Sequence, residues 1–482
     1  MDLQSVWQRT LTFCTGMPIV VEPVEAHLSS DAGLLPIRQL DEQLGLTEQF
    51  AAALLDRRDG PALTHSFLEM TRARVFGIVA GYEDQNDHDA LRSDAVFKLI
   101  ADRLPDDDDL ASQPTLSRFE NAIGAASLLR LQDVFIDQFL ASFAEPPTHL
   151  TFDVDVFDDP THGQQQMTFY HGFYEQYQYL PRVITCAEND LVVMVALLFG
   201  TASPRLGLIN DLRHLIGRIR AVWPDVRITL RGDSGFAAPA LYDVCDELRL
   251  QFTIGLGMNA VLKRCSEAVL AEAVRAYEAT GKPQRLFTVF EYQAETWSHP
   301  RWVVVKAEAN AQGTNRRAVV SNRPGVVVLP GATYDDYTER GESENRNKEL
   351  KCGLSADRLS DHRYLANLFR LYLHSLSANL LVRLRQVVAA PPRPLVAPDL
   401  PTEALAGAAR RQYFNRRRDA DPLGEAHPAT WRMRLIKVAA EIVQSSRRIW
   451  IRLSGSWPFL DHFRQVCDAI SACGCPAQGD TT

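Results

Sequence analysis

The sequence predicts an α/β fold in which a mixed β-sheet is flanked by helices, with a β-rich insertion before the last acidic helix and with helical N- and C-terminal regions. Three observations predict this fold. Strand-like and helix-like patterns alternate through residues 149–262. Three strand-like runs then follow one another within residues 263–330. In residues 1–148 and 331–388, apolar residues recur three and four positions apart, the spacing of helices packed on a core.

The overall composition excludes several classes of protein. With 46% apolar and 23% charged residues, the chain is typical of a soluble globular protein rather than a disordered one. The longest apolar run, Leu191–Gly200, is about half as long as a membrane span requires, and no secretion signal precedes it, so a cytoplasmic protein without membrane contact is expected. The net charge of −9 argues against coating nucleic acid through a global field, but it leaves local basic surfaces open.

The eight cysteines are scattered along a chain that is too large to need disulfide bonds for stability. We expect them to be reduced and mostly structural. Cys467, Cys473 and Cys475 lie close together, but no further Cys or His pair completes four ligands at zinc spacing. A zinc site is therefore not predicted.

The N-terminal region, residues 1–148, carries helical runs such as Glu48–Leu55 and Ser66–Tyr82 and no cluster of catalytic residue types. Within it, Ser112–Ile123 has the pattern of a helix entry. This segment is either part of a DNA-binding helix pair or an ordinary capped helix of a bundle, and the pattern favours the second interpretation.

The central region begins after Pro146 and Pro147, where His149–Val156 (HLTFDVDV) has the alternation and β-branching of a strand. The elements predicted after it are the strands Thr168–Tyr170, Leu191–Leu198 and Arg227–Leu230, the helix Asn210–Val222, a helical piece after Asn259, and the insertion strands Arg285–Gln293, Trp302–Ala307 and Arg317–Ser321.

The last part of the chain changes character twice. Tyr334–Arg385 is predicted as two long helices with a break near Cys352 and Gly353, and the proline-rich segment 389–401 is predicted as a linker. Residues 402–482 are then expected to form a separate, basic, helical unit for DNA binding or dimerisation.

The basic character of that unit is local. Residues 410–452 hold 11 Lys or Arg residues and 4 Asp or Glu residues, a net charge of +7. Contact with DNA and a solvated basic helix face are both compatible with this charge. The aromatic residues interleaved with the charges are Tyr413, Phe414, Trp431, Trp450 and Trp457.

Two carboxylates lie on the predicted strand His149–Val156. Asp153 and Asp155 are two residues apart and so point to one face of the strand, while Val154 points to the other. Burying carboxylates is costly unless a cation neutralises them, and hard oxygen ligands suit Mg²⁺ or Mn²⁺. The alternative is a strand end whose acids face solvent.

Asp233 is the next candidate, in the segment RGDSGF directly after the strand Arg227–Leu230. Ligands and chemistry collect at the carboxyl ends of strands in open α/β sheets, so an Asp followed by Ser234 and Gly235 is well placed there. A plain turn aspartate is the alternative.

A polar stripe completes the pattern. Its members step by three, four, four and three residues and therefore share one face of a predicted helix: Tyr337, Arg340, Glu344, Lys348 and Lys351. An anionic substrate together with a metal ion would account for this stripe. The alternative is a solvated face with intrahelical ion pairs such as Glu344 with Lys348.

The stripe resembles the YREK signature of DDE transposases of bacterial insertion sequences, with Tyr337, Arg340, Glu344 and Lys351 at the signature spacing. The DDPTHGQQ and RGDSGF segments also resemble one branch of that family, and the resemblance covers residues 149 to 385. Asp155 precedes Asp233 by 78 residues, and Asp233 precedes Glu344 by 111, a gap that holds the β-rich insertion. The resemblance implies a ribonuclease-H-like core divided between residues 149–262 and 331–388.

The resemblance also implies an activity. Asp155, Asp233 and Glu344 would be the catalytic triad and would bind two Mg²⁺ or Mn²⁺ ions. With these ions the protein would cleave DNA and join its 3′ hydroxyl to a target. Tyr337, Arg340, Lys351 and, more weakly, Lys348 would contact phosphates beside the cleaved end. The implied partners are double-stranded DNA, both the terminal inverted repeats and the target, and a second protomer.

Some alternatives stay open. The family usually has Thr or Ser two residues after its first acid, whereas Phe157 follows Asp155 here, so Asp153 competes for that role although Asp155 is preferred. His162 is a further residue expected near the site. Trp297 and Trp302 are the insertion tryptophans that could stack on a flipped base, but core packing is favoured. An inactive transposase-derived DNA-binding protein or a metal-dependent nuclease are the alternative functions.

Overall fold

The computed structural model describes residues 7–13, 16–58, 63–172, 174–389, 419–424 and 426–473. The predicted linker beyond Ala389 lies outside the described residues, and so do Tyr413, Phe414 and Cys475. In the described part of the chain, no helix combines the length and the apolar character that crossing a membrane requires.

The strands of the described residues are β1 (Arg9–Leu11), β2 (Ile19–Val21), β3 (His27–Ser29), β4 (His149–Val156), β5 (Asp159–Pro160), β6 (Phe169–His171), β7 (Gln176–Cys186), β8 (Val192–Phe199), β9 (Arg227–Gly232), β10 (Gln251–Leu256), β11 (Gln284–Tyr292), β12 (Arg301–Asn310), β13 (Gly313–Ser321), β14 (Ala440–Gln444) and β15 (Ile449–Leu453).

The helices are α1 (Leu34–Leu44), α2 (Leu46–Ala52), α3 (Phe67–Ala80), α4 (His88–Leu91), α5 (Ala95–Ile100), α6 (Gln113–Ala122), α7 (Ala125–Leu140), α8 (Leu208–Val222), α9 (Pro239–Glu247), α10 (Ala260–Cys265), α11 (Glu267–Thr280), α12 (Pro330–Thr338), α13 (Arg340–Lys348), α14 (Tyr364–Val388), α15 (Pro428–Trp431) and α16 (Leu460–Cys473). Short 3₁₀ turns cover Gln85–Asp87 and Ser234–Phe236, and π-helical turns cover Glu349–Gly353 and Arg432–Ile436.

One large mixed sheet organises the molecule, which confirms the predicted α/β class. Its strands lie in the order β11-β12-β13-β10-β9-β4-β7-β5, and β6 and β8 also pair with β7. β4, β9 and β10 are parallel to one another, while β7 is antiparallel to β4 and β8. The insertion strands extend this sheet because β13 pairs with β10.

β4 occupies the predicted residues His149–Val156. Its Phe152 and Val154 are fully buried and pack in an apolar cluster with residues of α8 and α9. Alternation along the strand therefore directs Asp153 and Asp155 to the opposite face, on the side of α13. The sheet thus separates an apolar layer from a polar one at this point.

β7 is an eleven-residue strand that the sequence prediction missed. Pro181 lies in its middle, and a proline inside a run normally argues against an interior strand. Here the pairing with β4 begins at Arg182, and the carbonyl of Pro181 accepts a hydrogen bond from the amide of Phe157 at 3.0 Å. The proline therefore lies where the ladder with β4 ends.

The N-terminal helices pack around α14, which is buried along most of its length. Aromatic rings join them: Phe119 of α6 lies edge-on to Phe369 at 5.4 Å between centroids, and Phe135 of α7 lies edge-on to Tyr372 at 5.4 Å. The helical character predicted for this region is confirmed, although the short strands β1, β2 and β3 were not anticipated.

The C-terminal region differs from the helical prediction. It contains the strands β14 and β15, and β14 pairs on its other side with β3 near the N-terminus. The reason lies in the segments Ala440–Gln444 and Ile449–Leu453, whose apolar residues alternate with polar ones at strand period. The prediction relied on the basic residues and overlooked this strand pattern. The described residues of this region pack on the N-terminal helices and do not form a separate unit.

Candidate active site

Asp153 is buried and bound to an arginine. Arg231 of β9 donates from Nε to Oδ1 at 2.7 Å and from Nη2 to Oδ2 at 2.8 Å, a bidentate pair. Burial raises the pKa of Asp153, and the guanidinium only partly opposes that rise. Nη1 of Arg231 donates to the carbonyl of Asp336 in α12 at 2.7 Å. Both oxygens of Asp153 therefore serve to link β4, β9 and α12.

Asp155 lies two residues further along β4 and meets a different set of groups. Its Oδ2 accepts from Nη1 of Arg340 at 3.2 Å and from Nδ2 of Asn347 at 3.1 Å, both on α13. Burial raises the pKa of Asp155, the charge of Arg340 opposes that rise, and the negative charge of Asp233 adds to it. Asp155 is thus a partly buried carboxylate beside a second one.

Asp233 lies at the end of the strand next to that of Asp155. β4 and β9 are parallel with Val154 opposite Gly232, so the next residue of each strand is one of the two acids. Oδ1 of Asp233 accepts from the amide of Gly235 at 2.8 Å and so caps the 3₁₀ turn that follows. The predicted position at a strand's carboxyl end is confirmed.

The five stripe residues are divided among three consecutive elements instead of one helix. Tyr337 lies on α12, the next three on α13, and Lys351 in the π-helical turn. The break between α12 and α13 falls where Arg231 donates to the carbonyl of Asp336, which in a continuous helix accepts from the amide of Arg340. A contact with the sheet thus takes the carbonyl that the helix would use, and the helix that the spacing predicted as continuous is interrupted at Glu339.

Arg340 joins two of the predicted acids. Its Nη2 donates to Oε1 of Glu344 at 2.5 Å, while its Nη1 contacts Asp155. Glu344 thus pairs with Arg340 and not with Lys348, the partner that the alternative interpretation of the stripe named. Burial lowers the pKa of the Arg340 guanidinium, but Asp155, Glu344 and Asp233 outweigh it and the net shift is upward.

Asp155 and Glu344 contact this guanidinium and the charge of Asp233 also acts on it, but the three acids do not form a closed cluster. Glu344 is about half exposed, whereas Asp155 and Arg340 are mostly covered. Among the described residues, the oxygens of Asp155, Asp233 and Glu344 do not all lie within 4.8 Å of one another. The donor set of carboxylate oxygens on two strand ends and one helix nevertheless fits a divalent cation, since hard cations prefer such ligands.

Tyr337 is packed against the backbone of β10. A methyl group added at Gly255 would lie 2.8 Å from the Tyr337 hydroxyl, 2.8 Å from the amide nitrogen of Ser234 and 3.1 Å from the carbonyl carbon of Asp233. Gly255 therefore permits both Tyr337 of α12 and the loop that carries Asp233 to approach β10 closely.

We expect Gly255→Ala to lower the free energy of unfolding by about 1–3 kcal/mol, because the methyl group meets backbone that cannot yield cheaply. Urea unfolding measures it. Gly217→Ala in α8 is the matched control: nothing lies within 4 Å of the added carbon, and the helix gains about 0.5–1 kcal/mol. Equal effects of the two substitutions would contradict the packing described for Tyr337.

The two lysines of the stripe differ in their surroundings. Nζ of Lys351 forms an ion pair with Oδ1 of Asp158 at 2.5 Å. Burial alone would raise the pKa of Asp158, but the hydrogen bond and charge of Lys351 leave it lowered. Lys348 is exposed. Lys351 is thus held by Asp158, three residues after Asp155, and Lys348 lies at the solvent surface.

Sequence reasoning missed two residues that contact the predicted acids. Asn347 follows Glu344 by three residues on the same helical face, so a stripe that counted amides would have included it. Arg231 lies in a strand, where a buried guanidinium requires an acid. The parallel register of β4 and β9 places Asp153 opposite Arg231. The sequence alone does not give this register, so the pair could not be predicted.

A different acidic group was not predicted. Asp243, Asp246 and His299 are exposed and place one ligand atom each within 4.8 Å of the others. Arg301 donates to Asp243 at 2.9 Å and contacts Asp246 at 2.8 Å. A guanidinium thus already neutralises this group, which lies outside the predicted site.

The remaining predicted residues lie apart from the acids. Trp297 is buried against Tyr242 and Tyr292, with ring centroids 5.3 and 5.2 Å away, in agreement with the favoured core packing. Trp302 packs in the small apolar cluster around Tyr334. His162 is exposed and lines a cavity of about 500 Å³ whose walls include none of the three acids.

Comparison with known proteins gives the family. The family model described as "Transposase DDE domain group 1" matches residues 12–393. No curated protein matches the chain. Among solved structures, the chain is similar to piggyBac transposase in a cryo-EM structure of its synaptic complex with hairpin DNA, at 13% identity, with 78% of this chain and 77% of that chain covered and a TM-score of 0.38. Because the family match spans most of the sequence, the chain belongs to the DDE transposase family of group 1.

Proposed function

We propose that the protein is the transposase of a bacterial insertion sequence of the YREK group, which cleaves DNA at the element's ends and joins the 3′ hydroxyls to target DNA. The observation that carries this proposal is that Asp155 and Glu344 both contact Arg340, while Asp233 follows the neighbouring parallel strand at the position next to Asp155. The strand order β8-β7-β4-β9-β10 supports a ribonuclease-H-like core, in which Asp155 and Asp233 end neighbouring parallel strands.

The three carboxylates are the proposed ligands of two Mg²⁺ or Mn²⁺ ions. Metal ions bound there would stabilise the attacking and leaving oxygens of phosphoryl transfer. Asp155 is held by Asn347 and Arg340, and Asp233 by the turn that it caps, so both present oxygens from rigid strand ends. Glu344, on a helix and more exposed, completes the set.

The cations around these acids are the proposed DNA contacts. Arg340 offers a forked donor and Lys351 a point charge, and a phosphate can replace the carboxylates that they now contact. Tyr337 lies beside Arg340, and Lys348 adds an exposed charge on the same helix as Glu344. The substrate would be double-stranded DNA, first the terminal inverted repeats and then the target.

Further regions complete the proposed assembly. In the C-terminal region, Arg447, Arg448 and Trp450 are exposed around the β14–β15 hairpin, which supports contact with DNA there, whereas Trp431 is buried. A homodimer would pair two element ends. The N-terminal region is proposed to recognise those ends, although α6 buries Leu116 and Phe119 within the bundle.

The test uses purified full-length protein, Mg²⁺ and a DNA that carries the element's two ends. Wild type is expected to release cleaved ends and to produce joined products with a target plasmid. Glu344→Gln is expected to lower the cleavage rate by at least about tenfold, since one coordinating charge is lost. Glu342→Gln, exposed on the same helix, is the matched control. Full cleavage by Glu344→Gln would refute its role, and cleavage without joining would indicate a nuclease.

A further inference from the structure

The strand β11 forms an uncovered edge of the large sheet. It lies at one end of the strand order, and within the described part of the chain its backbone forms hydrogen bonds only with β12. None of its nine residues is buried, although five of them carry large apolar or aromatic side chains: Leu286, Phe287, Val289, Phe290 and Tyr292. One row of backbone amides and carbonyls on β11 therefore faces solvent.

This edge lacks the features that normally prevent a sheet from pairing with another chain. Natural edge strands are short or bulged, or they carry a lysine or a proline. β11 is nine residues long, its register with β12 is continuous from Gln284 to Tyr292, and its sequence QRLFTVFEY contains neither lysine nor proline. The helix α11 lies against β11 but buries only Ala273 of its own 14 residues. The edge is thus open to a further strand.

The sequence of β11 is complementary to itself in the antiparallel direction. Thr288 is its central residue. When two copies pair antiparallel about Thr288, Arg285 of each copy lies opposite Glu291 of the other, because both residues are three positions from the centre. Phe287 then lies opposite Val289. Opposite charges and aromatic side chains facing β-branched ones are the cross-strand pairs that stabilise a ladder.

Both charges can form these pairs. Glu291 is the one exposed residue of β11. Arg285 bonds Asp335 of α12 through Nη2, and a guanidinium has five donor hydrogens, so it can bind a second carboxylate. Its guanidinium lies 4.9 Å from the ring centre of Phe287, and the alternation of the strand directs Glu291 to that same face.

We propose that β11 pairs antiparallel with β11 of a second copy of this chain, so that the two large sheets become one continuous sheet. A two-fold axis through Thr288 relates the copies. A strand of an unrelated protein would be the other occupant of this edge, but the symmetric placing of Arg285 and Glu291 favours a second copy. This inference deepens the proposed function, which requires two protomers without saying where they meet.

The first test reverses one charge of each pair. Sedimentation velocity of the full-length protein, without DNA or metal ions, is expected to show a dimer for wild type. Glu291→Lys is expected to raise the dimer Kd at least about tenfold, because both cross-strand pairs become repulsive. Arg285→Glu is expected to do the same. Glu145→Lys makes an equal charge change at an exposed position between α7 and β4, and is expected to leave the dimer intact.

An equimolar mixture of Glu291→Lys and Arg285→Glu is the sharpest comparison. In a mixed dimer each introduced charge lies opposite an unlike one, so the mixture is expected to dimerise as wild type does although neither variant does so alone. A wild type that stays monomeric would overturn the proposal, and so would a dimer that Glu291→Lys does not weaken. A mixture that stays monomeric, with both variants folded by circular dichroism, would also overturn it.

Disulfide formation tests the register of the two strands. Thr288→Cys places two cysteines opposite each other on the axis, and mild oxidation is expected to give a covalent dimer. Gln284→Cys is the matched control, because its two copies lie about 26 Å apart in this register, too far for a disulfide. Equal cross-linking of the two variants, or none in either, would contradict the register. Neither test uses DNA, so loss of cleavage by Glu344→Gln and loss of the dimer are separate results.

Discussion

Asp155→Asn is expected to reduce DNA cleavage by about 10³-fold or more, with the fold preserved, because the substitution removes a charge that metal-assisted phosphoryl transfer requires. Burial opposes ionisation of Asp155, so a neutral amide there has little cost for stability. Arg340 keeps its partner Glu344 in the variant. We therefore expect the urea unfolding midpoint to stay the same or to rise slightly.

Asp153→Asn makes the same chemical change two residues away and is expected to have the opposite result. Arg231 is 3% exposed and would lose its bidentate partner, keeping only the carboxylates of Asp336 and Glu339 at 4.0 and 3.7 Å, and breaking a buried ion pair costs about 3–5 kcal/mol. The variant should unfold at lower urea concentration, while the protein that remains folded should still cleave DNA. Cleavage assays corrected for folded fraction separate the two effects.

These two variants also settle which acid belongs to the triad. If Asp153→Asn abolished cleavage in well-folded protein while Asp155→Asn cleaved normally, the first catalytic acid would be Asp153. The structure favours Asp155, since both oxygens of Asp153 are already bound by Arg231. The sequence alone left the two aspartates as competitors because they share one face of the same strand.

Features that depend on local pattern were predictable. His149–Val156 has the alternation of a strand, and its observed bounds are the predicted ones. Asp233 follows a strand whose apolar residues are buried, and its position at the strand end follows directly. In both segments the local sequence pattern and the packing of the sheet favour the same conformation, so the sequence pattern is sufficient to predict it.

Features that depend on distant contacts were not predictable. Pro181 argued against a strand, yet β7 tolerates it because the ladder with β4 ends there. The stripe residues were predicted on one helix, but Arg231, a hundred residues earlier in the chain, contacts the carbonyl of Asp336 and separates α12 from α13. The pairing of β14 with β3 joins the two ends of the chain, and no local signal indicates it.

A buried network of ion pairs connects helices of the helical region, and breaking it is expected to lower the free energy of unfolding strongly. Glu120 of α6 is fully buried and accepts from Nε of Arg74 at 2.8 Å and from Nε of Arg370 at 2.5 Å. Arg370 also donates to Oγ of Ser360 at 2.7 Å. One carboxylate thus joins α3 and α6 to α14, the helix around which the N-terminal region packs.

Glu120→Gln is expected to lower the free energy of unfolding by about 3–5 kcal/mol, because two largely buried guanidinium groups lose their shared counter-charge. Burial opposes ionisation of Glu120, but Arg370 and Arg74 outweigh it and lower its pKa to about 2. The stabilisation from this lowered pKa is therefore fully present above about pH 4.5 and is lost as the pH falls toward 2. Urea unfolding at pH 7 and at pH 3 measures both effects.

Glu48→Gln, exposed on α2, is the control. If Glu120→Gln unfolded at the same urea concentration as this control, the network would not stabilise the bundle, and apolar packing would be what holds α14.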